Sequence, residues 1–323
     1  MSQDTSQGAK PDEGLPYHLI LRGGRPGRWR FVVGTVALVA GTLVLAPFFW
    51  QIPYVIGFSL SGQGLLDSLE RLLDLENPTP LGLAYLNLVL ASAIPVTWMI
   101  IRYVHGLRPR WLSSVFPRLR WRYLVVCFGL SFVALLATLA VSAVLPSQGA
   151  GTEMSGELND FTSTTRDFLL VVLFLTPLQA AGEEYAFRGY LAQAFGGLFR
   201  NPIAAVVGPS ILFALAHGLG QSAPIFFDRF AFGVVAGTLV ILTGGLEAGI
   251  AMHVLNNWLA FGLSLAYGDM GSSLNPSGGS WWSIPVTLTQ SLVYLALALY
   301  VARRMGLGSR TYPVVLEGFR PRV

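Results

Sequence analysis

The sequence predicts an all-α, polytopic membrane protein with about eight transmembrane helices, and three observations support this fold class. Hydrophobic residues make up 53% of the 323 residues and charged residues only 12%, whereas a soluble domain carries about 25% charged residues. Several apolar stretches of about 20 residues are long enough to cross a hydrocarbon core as helices. Segments of alternating polarity, as in a membrane β-barrel, are absent from the sequence, and helices satisfy their own backbone groups in lipid.

The candidate spans follow one another along most of the chain. The first begins after residue 30 and is too long for a cleaved signal peptide, so we expect a retained anchor. We expect residues 1–29, rich in Gly, Ser, Asp, Pro and Arg, to form a disordered cytoplasmic arm. Residues 30–304 form the predicted transmembrane domain, and 305–323 a short cytoplasmic tail. The spans are 31–50, 81–101, 123–145, 168–199, 202–217, 225–243, 246–264 and 281–302.

The distribution of charge predicts the orientation of the chain. Arginines cluster before the first span, in the loop 102–122 and in the tail, whereas acidic residues dominate the loops 63–80 and 146–167. By the positive-inside rule both termini are cytoplasmic, which an even number of spans allows. Because the arginines flank apolar spans, we expect no nucleic-acid partner. The single cysteine, Cys127, lies within a span, which excludes disulfides and cysteine-based metal clusters.

Ionisable residues inside the spans are concentrated in one third of the chain. Such groups are costly in lipid, so each is a functional candidate by default. Two of the four histidines belong to this set, whereas we expect His18 and His105 to be solvated surface residues. The set comprises Glu183, Glu184 and Arg188 in the fourth span, His217 at the end of the fifth and His253 in the seventh, where the polar but uncharged Asn257 accompanies it.

Helical spacing separates the roles of the charged residues in the fourth span. Glu184 and Arg188 are four residues apart and share a helix face, so we expect a structural ion pair, with a catalytic role as the alternative. Glu183 is rotated by about 100° from Glu184 around the helix axis, so it points away from the face that Glu184 shares with Arg188. His253 and Asn257 are also four residues apart, which predicts that both face one cavity.

A carboxylate, two imidazoles and an amide around one cavity indicate hydrolysis by an activated water. Glu183 is the candidate general base, and His217 can hold the same water. His253 and Asn257 can donate to a developing oxyanion. The alternative is that these buried polar residues only hold the helices together.

Glu247 and the depth of His217 raise two further questions. Glu247 begins the seventh span, where it is either a carboxylate facing a helix N-terminus or a rim group that steers substrate. At about 1.5 Å of rise per residue, His217 reaches the level of Glu183 only if the fourth helix projects beyond the membrane before turning near residues 200–202.

Three short motifs together resemble a known family. EEYAFR (183–188), FALAH (213–217) and HVLNN (253–257) occur in this order on apolar helices. They resemble the CAAX-protease and bacteriocin-processing (CPBP or Abi) family, which includes the type II CAAX prenyl endopeptidases, over about residues 165–265.

This resemblance implies an intramembrane endopeptidase acting on a membrane-associated, lipidated or leader peptide. It implies that Glu183 and His217 activate water and that His253 and Asn257 stabilise the oxyanion. The resemblance favours a glutamate-type mechanism without a metal over a metallo-type one, and the usual helical zinc motif HExxH does not occur in the sequence. If zinc is present, Glu183, His217 and His253 are the candidate ligands.

Two other functions are considered. One is a proteolytically silent membrane scaffold or bacteriocin-immunity protein of the same fold, against which the intact set of four site residues argues. The other is a transporter, which would predict inverted repeats that the sequence does not show. The expected partners are a peptide or membrane-protein substrate and the lipid bilayer of a bacterial cell membrane. The identity of the substrate and the oligomeric state are left open.

Overall fold

The structure is a computed structural model that describes residues 14–144, 157–274, 279–312 and residue 316. Within these residues the regular elements are helical, apart from isolated bridges between Pro16 and Arg310 and between Ser114 and Gly245. Two 3₁₀ segments, Tyr17–Gly23 and Pro109–Leu112, accompany the longer helices. These are α1 (Trp29–Leu60), α2 (Leu65–Leu73), α3 (Pro80–Tyr103), α4 (Trp121–Ser142), α5 (Ser163–Phe199), α6 (Pro202–Ala216), α7 (Ala223–Thr243), α8 (Glu247–Tyr267), α9 (Met270–Leu274) and α10 (Ser283–Arg304).

The predicted fold class is confirmed. Each of the eight candidate spans falls on one helix, and α1, α3, α4, α5, α7 and α10 are six described helices long and apolar enough to cross a membrane. The short apolar helix α6 and the 21-residue helix α8 lie among them. The chain is therefore an all-helical integral membrane protein. The first predicted span was too short, because α1 continues to Leu60.

Helix α5 positions most of the candidate site. A capping box formed by Thr162 and Thr165 begins it, and Arg200, in a left-handed conformation with φ 55°, ends it. Its 37 residues span about 55 Å, well beyond a hydrocarbon core of about 30 Å. Glu183 then lies about 24 Å along the axis from the turn that joins α5 to α6, and His217 about 22 Å along α6 from the same turn. The projecting helix thus brings both residues to one level.

The prediction of disorder for residues 1–29 is wrong for residues 14–29. Tyr17, Ile20 and Leu21 of the 3₁₀ segment are buried in the core, and Arg22 Nη1 donates to the Gly197 carbonyl over 2.6 Å. The three apolar residues have partners that lie far away in sequence, which composition alone does not show. Residues 1–13 lie outside the described part of the chain.

The predicted tail also begins as an ordered segment. The Leu15 amide donates to Thr311 Oγ1 over 2.8 Å, and the Thr311 amide donates to the Leu15 carbonyl over 2.8 Å. The two ends of the described chain are therefore fastened to each other. Residues 313–315 and 317–323, with two arginines of the predicted tail, lie outside the described residues.

The expectation that His18 and His105 are solvated is also wrong. His18 is 7% exposed and His105 only 1%. His105 Nε2 lies 3.1 Å from the Tyr190 hydroxyl, and its ring packs against Phe31. Burial, with a smaller contribution from the nearby Arg30, lowers the pKa of His105 from 6.5 to about 4. This imidazole is therefore neutral in the folded protein near pH 7.

Acidification should destabilise the protein through His105. The unfolded state binds a proton below pH 6.5 that the folded state takes up only near pH 4. The contribution of neutral His105 to the free energy of unfolding is therefore complete above pH 6.5. It is lost, by about 3 kcal/mol, as the pH falls through this window. Thermal unfolding in detergent between pH 7.5 and about pH 4 should show a shallower loss for His105→Gln than for wild type. Identical profiles would contradict the assignment.

Candidate active site

The candidate site lies where α5, α8 and the end of α6 meet. Along α5 the backbone is α-helical from Thr176 to Glu183 and becomes a π-helix from Glu184 to Leu191. A π-helix holds more residues in each turn, and such segments are frequent at functional sites. The change falls between the two adjacent glutamates, whose hydrogen-bond partners differ.

Glu184 forms a buried cluster with Arg188 and His253. Its Oε1 accepts from Arg188 Nη1 over 3.0 Å and lies 2.9 Å from His253 Nδ1. Glu184 is 0% exposed and Arg188 2%, and the Arg188 guanidinium lies 4.1 Å from the Phe213 ring centroid. A Cβ at Gly249 would lie 2.6 Å from Glu184 Oε2, so glycine there permits α8 to approach the carboxylate. The cluster joins α5 to α8.

Glu183 has one engaged and one free carboxylate oxygen. Its Oε1 accepts a hydrogen bond of 2.8 Å from Gln179 Nε2. Its Oε2 is buried without a hydrogen-bond partner and lies 3.4 Å from His253 Nε2. An ionised carboxylate oxygen is a hydrogen-bond acceptor and a base, so Oε2 is the atom available to take a proton.

His217 shares an apolar cavity with Glu183. It follows the last residue of α6, and its Nδ1 lies 2.8 Å from the Phe213 carbonyl. Because a carbonyl only accepts, Nδ1 carries the proton, and Nε2 of the neutral ring is an acceptor. The cavity has a volume of about 410 Å³. Apart from Glu183 and His217, its walls are nearly all apolar and come from α1, α3, α5 and α6.

The other two predicted site residues do not line this cavity. Of the described residues, those that line it include neither His253 nor Asn257. His253, 4% exposed, is held between the carboxylates of Glu183 and Glu184. Asn257 Nδ2 donates to Gln179 Oε1 over 2.9 Å. Neither side chain therefore lines the cavity that Glu183 and His217 share, although His253 lies against Glu183 itself and Asn257 bonds to Gln179, which contacts Glu183.

Gln179 is a site residue that the sequence analysis missed. It lies one helical turn before Glu183, is 8% exposed and contacts both Glu183 and Asn257. The only signal for it in the sequence is its position four residues before Glu183, which places both side chains on one helix face. An uncharged residue in an apolar span gives no electrostatic signal.

Glu247 lies in the first turn of α8, which confirms the predicted carboxylate at a helix N-terminus. It is 0% exposed, which excludes a group on the rim of the site. Its carboxylate accepts from Arg120 Nε over 2.9 Å, from Arg120 Nη2 over 2.6 Å and from the Arg120 amide over 2.8 Å. Arg120 Nη1 also donates to the Thr243 carbonyl over 2.8 Å. This buried pair fastens the start of α8, which carries His253, to the segment before α4.

Parts of the chain are similar to known proteins. Residues 165–259 match the family described as type II CAAX prenyl endopeptidase Rce1-like, a range that contains every candidate site residue named in the sequence analysis. The uncharacterized protein YyaK of Bacillus subtilis (strain 168) is 26% identical over 229 residues, which cover 68% of this chain and 75% of that protein. No solved structure matches the chain significantly.

Proposed function

Because residues 165–259 of this membrane protein match the family described as type II CAAX prenyl endopeptidase Rce1-like, we propose that it is an intramembrane endopeptidase. The observation that carries this proposal is the unpartnered, buried Oε2 of Glu183 in a cavity that Glu183 shares with His217. A base beside an acceptor nitrogen, in apolar surroundings, is suited to activate a water molecule.

In the proposed reaction Glu183 is the general base. Its Oε2 takes a proton from a water that also donates to His217 Nε2, and the water oxygen attacks the carbonyl carbon of the scissile peptide bond. The resulting tetrahedral intermediate collapses with cleavage of the C–N bond. The proton held by Glu183 passes to the departing nitrogen, which leaves as an amine. The two protein groups thus return to their starting states.

The proposed oxyanion stabilisers are His253 and Asn257. Glu184 orients the His253 ring through Nδ1, so that Nε2, when protonated, can donate to the developing oxyanion. Asn257 uses one N–H bond for Gln179 and has a second for the intermediate. His253 and Asn257 can both reach the oxyanion only if the scissile carbonyl enters beside Glu183, past the apolar wall of the cavity.

The residues described here fit a zinc ion poorly. Among the described residues, no group of three or more His, Cys, Asp or Glu side chains is arranged to hold a metal. No step of the proposed reaction passes through a metal.

The walls of the cavity favour an apolar or membrane-bound substrate. Leu38, Leu86 and Leu212 are among the residues that line it, and α1 and α3, which contribute two of these, are both candidate membrane spans. The matching apolar surface could come from a lipidated peptide, a leader peptide or the terminus of a membrane protein. Contact between apolar surfaces is favourable because it removes them from water.

The proposal is tested with purified protein in liposomes and a panel of quenched fluorescent peptides. The panel contains one CAAX-type peptide with and without a prenyl group, a leader-type peptide and a membrane-protein terminus. Each is assayed with and without a strong zinc chelator. We expect cleavage of at least one peptide at a rate that the chelator leaves unchanged. Loss of cleavage with the chelator, restored by added zinc, would overturn the metal-free mechanism, and no cleavage of any peptide would count against an endopeptidase.

A further inference from the structure

We infer that Gln179 is a positioning residue that selects the oxygen of Glu183 that acts as base and orients the Asn257 amide. The inference rests on the proposed function and assigns a role to a residue outside the three sequence motifs. It starts from the position of Gln179, which is the one side chain shown to bond both to the proposed base and to a proposed oxyanion stabiliser.

Gln179 uses both ends of its amide. Its Nε2 donates to Glu183 Oε1 over 2.8 Å, and its Oε1 accepts from Asn257 Nδ2 over 2.9 Å. The two bonds connect α5 to α8, because Gln179 and Glu183 lie on α5 whereas Asn257 lies on α8. With Gln179 only 8% exposed, water is a poor substitute for either bond.

The direction of both hydrogen bonds follows from the chemistry of the three groups. An ionised Glu183 can only accept, so the amide NH₂ of Gln179 has to face it. The Gln179 oxygen then faces α8 and requires a donor, which only the NH₂ end of the Asn257 amide supplies. Reversal of the Gln179 amide would place oxygen against a carboxylate oxygen and NH₂ against NH₂. The charge on Glu183 therefore sets the orientation of Asn257 through Gln179.

The consequence for the reaction is a distinction between the two oxygens of Glu183. Oε1 is occupied by Gln179, whereas Oε2 lies on the side of His253 without a hydrogen bond. Without the bond from Gln179, the carboxylate is free to rotate about its terminal torsion. A displacement of about 1 Å in a reacting group can cost about 100-fold in rate.

The test compares the kcat and KM of four proteins on the peptide that wild type cleaves fastest. These are wild type, Gln179→Met, Gln179→Glu and, as a matched control, Gln193→Met. Gln193 is a second buried glutamine of α5 and donates to the Trp111 carbonyl. For Gln179→Met we expect kcat to fall about 10–100-fold with KM within about twofold of wild type. For Gln193→Met we do not expect this fall in kcat at nearly unchanged KM.

Gln179→Glu separates the two hydrogen bonds. It keeps an oxygen that accepts from Asn257 and replaces the donor to Glu183 with a second carboxylate oxygen. We expect the acid limb of its pH–rate profile to move to higher pH, because two adjacent carboxylates hold a shared proton more tightly than one holds its own.

Three results would overturn the inference, and Glu183→Gln distinguishes them from failure of the proposed function. The first is a kcat for Gln179→Met within about twofold of wild type. The second is equal losses for Gln179→Met and Gln193→Met, and the third is an unmoved acid limb for Gln179→Glu. If Glu183→Gln is inactive in the same assay, only the role of Gln179 fails. If Glu183→Gln is as active as wild type, or wild type is inactive, the proposed function fails and the inference with it.

Discussion

Arg188→Met should lower the free energy of unfolding by about 3–5 kcal/mol, because it leaves a buried carboxylate without its counter-charge. Glu184 is 0% exposed and would keep only the hydrogen bond with His253. The substitution would also remove the guanidinium that lies over the Phe213 ring. Methionine fills a similar volume and stays compatible with the apolar surroundings, so the loss reports mainly on the charge. Equilibrium unfolding in mixed detergent micelles measures the difference.

Arg166→Gln is the matched control for this prediction. Arg166 also lies on α5 and pairs with Asp167, but the two side chains are 59% and 47% exposed, and an exposed pair contributes less than about 1 kcal/mol. The double variant Glu184→Gln/Arg188→Met should recover part of the stability that Arg188→Met loses, since it removes both charges. Equal losses for Arg166→Gln and Arg188→Met would show that the Glu184–Arg188 pair is not what stabilises this region.

Glu183→Gln should reduce kcat by about 10²–10⁴-fold, the contribution that general acid–base catalysis usually makes. Glutamine has nearly the same shape and keeps an oxygen that can accept from Gln179 Nε2, so the unfolding free energy should change little. The amide cannot take a proton from water at neutral pH. Rates from stopped assays on the fastest-cleaved peptide, beside thermal unfolding of the same samples, measure both effects.

His217→Gln should also be slow, and its combination with Glu183→Gln is informative. If both residues act on one water, the double variant should lose much less than the product of the two single losses. Glu70→Gln, which changes an exposed carboxylate on α2, should retain the wild-type rate. Losses that multiply in the double variant would mean that Glu183 and His217 act in separate steps.

The fold and the identity of the interacting helices could be predicted from the sequence. Apolar length predicts the helices, because a bilayer requires about 20 such residues in a row. The spacing of Glu184 and Arg188 predicts a shared helix face, and the two side chains lie 3.0 Å apart. The three motifs predict a resemblance to the CAAX-protease family, and residues 165–259, which contain all three, match the Rce1-like family model.

Contacts between residues far apart in the chain could not be predicted. Arg120 and Glu247 are 127 positions apart, and no periodicity relates them. Most of the 3₁₀ segment at residues 17–23 is buried because α5 and the Pro109–Leu112 segment offer it a surface, whereas the composition of residues 1–29 as a whole resembles that of a flexible arm. The periodicity of the sequence likewise does not predict the π-helix at Glu184–Leu191, because helix faces were assigned with the α-helical number of residues per turn.

Gln179, a neutral residue of the site, escaped prediction for a different reason. Ionisable groups in apolar spans such as Glu183 and His253 stand out in the sequence, because charge in lipid is costly. Gln179 carries no charge and becomes visible only through its two hydrogen bonds. Helical spacing predicts that Asn257 lies on the same face as His253, but it does not predict the hydrogen bond from Asn257 to Gln179.

The assignment of Glu183 as the base is tested most directly by mass spectrometry of the products formed from one membrane-embedded peptide by wild type and by Glu183→Gln in the same liposomes. Wild type should yield two fragments from hydrolysis of one peptide bond, with no effect of a zinc chelator. Glu183→Gln, folded to the same extent, should yield no more than protein-free liposomes. The same fragments at the same rate from Glu183→Gln would contradict the assignment of Glu183 as the base.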